Sequence, residues 1–152
     1  MSSRARAALA TALLAAVAGL TLPSCRDDTR ALAEDYVAAV NTRAASFCRC
    51  FAPLVGYRST DILGCVESER FEDEQRACVI DLLMSAEGPS PDEAIACLMS
   101  VELDYAYCLD ALSCDDLDGL ARCMTTYNDD ARACPSLSER DRQQFVNCHF
   151  VE

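Results

Sequence analysis

At 152 residues the chain is long enough for one hydrophobic core and short of two ordinary domains. It carries 25 acids, 13 basic residues that are all arginine, and 11 cysteines, the composition of an acidic, cross-linked domain. A surface of this sign repels phosphate backbones, which argues against a nucleic-acid partner, and offers no electrostatic hold on anionic lipid.

Residues 1–24 read as an export signal. Arg4 and Arg6 precede an uncharged apolar run from Ala7 to Leu22. The run is shorter than the roughly twenty residues that cross a bilayer, and Gly19 and Pro23 weaken its end as a helix. It closes on Leu22-Pro23-Ser24-Cys25, where Leu22 is too large for a cleavage site of the A-x-A kind. A leucine three places before a cysteine, with a small residue directly before it, resembles the bacterial lipobox, in which the cysteine sulfur is diacylated and becomes the new N-terminus. Pro23 departs from the small or hydroxylated residue usual there. Parity argues in the same direction, because eleven cysteines is odd and setting Cys25 aside leaves ten, which can pair completely. The resemblance implies a membrane partner reached through the acyl chains of Cys25. Arg26 is not the aspartate that retains enterobacterial lipoproteins in the inner membrane, which implies an outer-membrane lipoprotein facing the periplasm or cell surface. Residues 25–29 are expected as a short tether and 30–152 as the folded domain. From Cys25 onward 11 arginines stand against 25 acids, a net charge of about −14.

Apolar residues in the rest of the chain recur at spacings of three and four, with almost no alternation of strand type, so an all-α bundle of five or six short helices is expected. The first starts near Asp28 or Thr29 and presents Leu32, Tyr36, Val40, Ala44, Phe47 and Phe51 on one face until Pro53. After a turn at Gly56 to Ser59, a second spans about 60–69 and a third about 71–86, burying Cys78, Val79, Leu82 and Leu83 before Gly88-Pro89. Ser90-Pro91-Asp92-Glu93 is a capping box and opens the fourth, which runs to about Leu112 through Ile95, Leu98, Met99, Tyr105, Ala106 and Leu109. Asp115 is expected to cap a fifth carrying Leu117, Leu120, Cys123, Met124 and Tyr127. Ser136 with Glu139 repeats the box pattern before a sixth that ends near Cys148.

Cys97 and Cys108 are eleven residues apart, as are Cys123 and Cys134, and eleven steps of 100° return to within about 20° of one helix face. Folding the fourth and fifth helices back on each other brings Cys108 to Cys123 and Cys97 to Cys134, two rungs of an antiparallel hairpin. A rival bridge joins Cys78 to Cys97, which are equidistant from Gly88-Pro89. The hairpin resembles the twin-CX9C proteins, with ten intervening residues instead of nine, over about a quarter of the chain. Cys48, Cys50, Cys65, Cys78, Cys114 and Cys148 allow fifteen pairings, among which Cys48 and Cys50 with Cys65 and Cys78 is preferred. The segment Phe47-Cys48-Arg49-Cys50-Phe51, followed by Gly56-Tyr57 and Cys65, is similar to cysteine-rich lipoproteins of myxobacteria-like genomes. That similarity carries over no catalytic residue.

The expected role is a non-catalytic cell-envelope lipoprotein that is structural or binds a protein or another envelope component. Two alternatives stand beside it. Cys48-Arg49-Cys50 resembles the reactive cysteine-x-cysteine pair of the mitochondrial intermembrane-space import oxidoreductase, with Arg49 favouring a thiolate, which implies thiol–disulfide exchange. The motif lies far upstream of the hairpin, unlike in that family, and cysteines in small exported domains are mainly staples. The other alternative is an acidic calcium-binding envelope protein. Asp116, Asp118 and Gly119 occupy the third, fifth and sixth places of an EF-hand loop, but Cys114 and Thr125 stand at its first and twelfth. Ligand spacings for zinc are missing, and the single histidine, His149, has no nucleophile elbow to serve, so neither a metal, a cofactor nor a catalytic residue is expected.

Overall fold

The computed structural model describes residues 25–86 and 91–148, and six α-helices with one 3-10 turn account for most of them. The helices are α1 (Cys25–Phe51), α2 (Ile62–Glu69), α3 (Asp73–Ser85), α4 (Pro91–Asp110), α5 (Leu117–Ala133) and α6 (Glu139–Cys148), with the 3-10 turn at Ala52–Val55. The expected signal peptide, the Gly88-Pro89 break, the Ser90 cap and His149 lie outside the described residues, as does the side chain of Cys25. No strand occurs among the described residues, so the all-α, disulfide-stapled bundle expected from the periodicity is the fold.

The 27-residue α1 is the axis. It begins at Cys25, so residues 25–29, expected as a tether, are already helical. Ala33, Tyr36, Val37, Val40, Ala44, Cys48 and Phe51 form a buried stripe at helical spacing. Ala39 and Ser46 are also buried on a second, narrower side, where small side chains let a neighbour approach closely. α2, α3 and α4 pack directly on α1, while α5 docks on α4 and α6 on α3. Two main apolar clusters result. Tyr36, Val37 and Val40 meet Val79, Leu82 and Leu83 of α3, Ile95 of α4 and Phe71, with the Phe145 ring edge-on to that of Phe71. Farther along, Phe51 meets Tyr105 and Leu109 of α4 and Leu120 of α5.

The helix starts are set by short polar side chains, and two differ from the sequence expectation. Asp116, not Asp115, caps α5, accepting from the Gly119 N–H at 2.7 Å. Asp116 reaches that donor because Gly119 has no Cβ: one built there would strike the Asp116 carboxylate and stand 2.7 Å from Leu112. Asp115 is instead engaged by the Ser113 hydroxyl, which holds its carboxyl below the ordinary range. For α6 the cap is Ser138 in place of Ser136, its Oγ accepting from the Asp141 N–H at 3.1 Å and donating to Asp141 Oδ2 at 2.7 Å. Leu137, packed on the core, pins the segment before that cap in a non-helical path. Phe71, expected to open α3, lies in the link before it. Its N–H donates to Asn41 Oδ1 of α1 at 3.1 Å, and α3 begins two residues on, where the Gln75 side chain accepts from the Glu72 N–H.

Five disulfides staple these helices: Cys48–Cys65, Cys50–Cys114, Cys78–Cys148, Cys97–Cys134 and Cys108–Cys123. The last two are the rungs of the α4–α5 hairpin, so the rival Cys78–Cys97 bridge is not made. Of the pairing preferred for the amino-terminal cysteines, Cys48–Cys65 forms, whereas Cys50 goes to Cys114 and Cys78 to Cys148. Cys50 packs in the cluster of Phe51, Tyr105 and Leu109 and Cys78 in that of Tyr36, Val37 and Val40, so the two are kept apart, and Cys50 points about 200° round α1 from Cys48.

The short α2 depends on its bond. It buries only Cys65 among its eight residues and leaves Leu63 77% exposed, so little apolar contact holds it against α1. Replacing Cys48 and Cys65 together by alanine should cost about 3 kcal/mol, the loop-closure value for a separation of 17 residues. Denaturant unfolding measures the loss, and hydrogen exchange should show it concentrated in the amides of α2.

Candidate functional site

One buried carboxylate of the described domain is concealed by the periodicity of α4. Glu102 stands on the same face as Ile95, Tyr105 and Leu109 and is 5% exposed. Its Oε1 accepts from the Tyr127 hydroxyl of α5 at 2.8 Å, and its Oε2 lies 3.2 Å from Arg43 Nε of α1. Oε2 has no aligned hydrogen-bond donor, so the Arg43 contact is charge against charge. Tyr105 packs on Tyr127 with ring centroids 4.8 Å apart. Three helices therefore meet at one carboxylate. An acid at a core position of an otherwise apolar stripe was the sequence signal for it.

This cluster perturbs three phenols. Burial pushes Tyr127 up to about 12, helped by the charge of Glu102 and the hydrogen bond to it. Burial likewise raises Tyr36, aided by Glu102 and Tyr127, and raises Tyr105 against the opposing charge of Arg43. All three are held in the neutral form that a buried hydroxyl prefers. The cluster joins α1, α4 and α5.

The surface offers a different site. Between α1, the end of α2 and the start of α3 lies an open groove of about 600 Å³. Its walls carry the carboxylates of Glu34, Glu67, Glu72, Asp73 and Glu74 against the guanidinium groups of Arg70 and Arg76, with Val37 and Phe71 also lining it. Such a lining favours cationic over anionic groups. Neither a histidine nor a free thiol lines it, so the pairing of a nucleophile with its base is missing from the groove.

The residues singled out from the sequence fall elsewhere. Cys48 and Cys50 belong to two different disulfides and are not bonded to each other. Cys48 and Cys65 are both buried, at 1% and 0% exposure. Arg49, between the two cysteines, reaches α4: its Nη1 lies 3.2 Å from Asp110 Oδ1 and its Nη2 donates to the Asp110 carbonyl at 3.0 Å. Of the EF-hand positions, Asp116 is committed to the α5 cap and Cys114 to a disulfide. Among the described residues no group of three or more His, Cys, Asp or Glu is placed to hold a metal ion.

Removing the Glu102 carboxylate as Glu102→Ala leaves Arg43 without its counter-charge and Tyr127 without its acceptor, and should destabilise the domain by about 2 kcal/mol in urea unfolding. The phenols also set an alkaline limit. A tyrosine raised in the folded state contributes stability that is fully present below the unfolded value of 10 and is lost as pH rises through the folded value of about 12 for Tyr127. Stability should therefore fall between pH 10 and 12, with phenolate absorbance lagging behind that of the unfolded chain. Coincident titration of folded and unfolded chains would contradict the assignment.

Compared with models of known families, with curated proteins and with solved structures, the chain matches none.

Proposed function

We propose that this chain is a non-catalytic lipoprotein of a bacterial cell envelope, tethered through acyl chains on Cys25 and presenting a disulfide-stapled helical domain with a structural or binding role. The observation that carries this reading is cysteine bookkeeping on the folded chain. Five disulfides use ten of the eleven cysteines, so no cysteine of the chain remains to pair with Cys25. A lone thiol in an oxidising compartment is a liability, and thioether linkage to lipid removes it. The position supports the same reading, because Cys25 directly follows Leu22-Pro23-Ser24 and is the first residue of α1.

No helix among the described residues is long and apolar enough to cross a membrane, so in this reading the acyl chains supply the hold. The acidic surface adds no attraction to anionic headgroups. In this reading binding falls to the groove between α1 and α3, whose excess of carboxylates favours a cationic partner. The outer membrane is the proposed address, on the strength of Arg26 following the modified cysteine.

Intact mass of the membrane-extracted protein, alkylated without reductant, tests the reading. The expected species starts at Cys25, carries a diacylglyceryl-sized increment and takes up no alkylating agent, and Cys25→Ala should shift the protein out of the membrane fraction. A protein recovered without the increment and free of the membrane would overturn the proposal.

A further inference from the structure

The five disulfides differ in how far they are shielded. Cys48–Cys65 is buried at both ends, and Cys78–Cys148, Cys97–Cys134 and Cys108–Cys123 each have one buried member, at 2%, 7% and 3% exposure. Cys50–Cys114 alone has none: Cys50 is half-buried in the last turn of α1, and Cys114 is exposed in the turn between α4 and α5. Attack on a disulfide requires a thiolate to approach a sulfur along the S–S axis, so access decides which bond exchanges first. We propose that Cys50–Cys114 is a thiol–disulfide exchange site, entered at Cys114, for an external dithiol such as the reduced active site of an envelope oxidoreductase.

A thiolate of the dithiol attacks Cys114 Sγ, the bond to Cys50 breaks, and Cys50 leaves as a thiolate that takes a proton from water. The second thiol of the dithiol then attacks its own sulfur in the mixed disulfide and releases Cys114 as a thiolate. The dithiol is oxidised to a disulfide, and Cys50 and Cys114 are reduced to two thiols, a transfer of two electrons.

Two features make this an exchange site and not merely a weak staple. The four remaining disulfides still tie α1 to α2, α3 to α6 and α4 to α5, so opening this bond leaves the domain cross-linked. Beside the bond, Arg49 holds both the side chain and the carbonyl of Asp110, joining the end of α1 to the end of α4 without sulfur. That contact keeps Cys50 and Cys114 opposite each other while the bond is open, so it can close again. Cys48, two residues upstream, stays in its buried bond with Cys65 throughout.

Brief exposure of the native full-length protein to limiting dithiothreitol, followed by acid quench, alkylation and peptide mapping, tests the proposal. Cys50 and Cys114 should be labelled first and together, with the other disulfides intact, and removal of reductant should restore the bond. Arg49→Ala should leave opening unchanged and slow reclosure several-fold. A Cys50→Ser, Cys114→Ser double variant should keep its helical circular dichroism and take up no label under the same exposure. Another bond opening first, or all five opening together, would overturn the assignment, as would equal labelling of the double variant.

Discussion

Everything in this domain is arranged around a helix that has to be covered on more than one side. A stripe of Tyr36, Val37, Val40, Ala44 and Phe51 would suit a helix lying on a single neighbour, but Ala39 and Ser46 are buried on another side of α1 as well. One partner, α4, is long at 20 residues, but α2, α3 and α6 are short, at 8, 13 and 10 residues. Short helices carry little apolar surface each and are marginal alone, so their attachment to α1 or to one another needs something more than burial. The disulfides meet that need, which is why they join α1 to α2, α3 to α6 and α4 to α5.

A charged group sits among the buried residues of α4. Where α1, α4 and α5 converge, a carboxylate, a guanidinium and a phenol take the place of three apolar side chains. A buried ion pair is not in itself a strong stabiliser, because desolvation offsets most of the attraction. It is selective, since only one register of the three helices lets Glu102 meet Arg43 and Tyr127 at once. That selectivity complements the covalent ladder between Cys97, Cys134, Cys108 and Cys123, which fixes α4 against α5 but does not itself set the pair against α1.

Helix content, the order of the elements and the α4–α5 ladder were legible in the residues, because each rests on local arithmetic: periods of three and four, and two spacings of eleven on one hairpin. Cys50–Cys114 and Cys78–Cys148 were not, since they join elements 64 and 70 residues apart and depend on how those elements pack. The caps failed by one or two positions for a similar reason. Asp115 and Asp116 are equivalent as sequence, and only the missing Cβ of Gly119 decides between them. Glu102 was legible in principle, as an acid on an apolar face, but its partners Arg43 and Tyr127 lie on other helices. The groove between α1 and α3 draws its carboxylates from three elements, so no single segment announces it.

The order of the cysteines along the chain has a consequence for how the molecule is made. None of the five bonds joins neighbours in that order: even Cys108 and Cys123, the nearest pair, have Cys114 between them. A polypeptide that emerges from a translocon amino-terminus first, and is oxidised as it emerges, meets its cysteines in sequence, and pairing on arrival would join Cys48 to Cys50 and Cys65 to Cys78. The native set is reached only when arrival-order bonds are broken and remade after Cys148 has appeared. A chain oxidised in arrival order would therefore need those first bonds reshuffled, the reaction a disulfide isomerase catalyses, before the native set is complete.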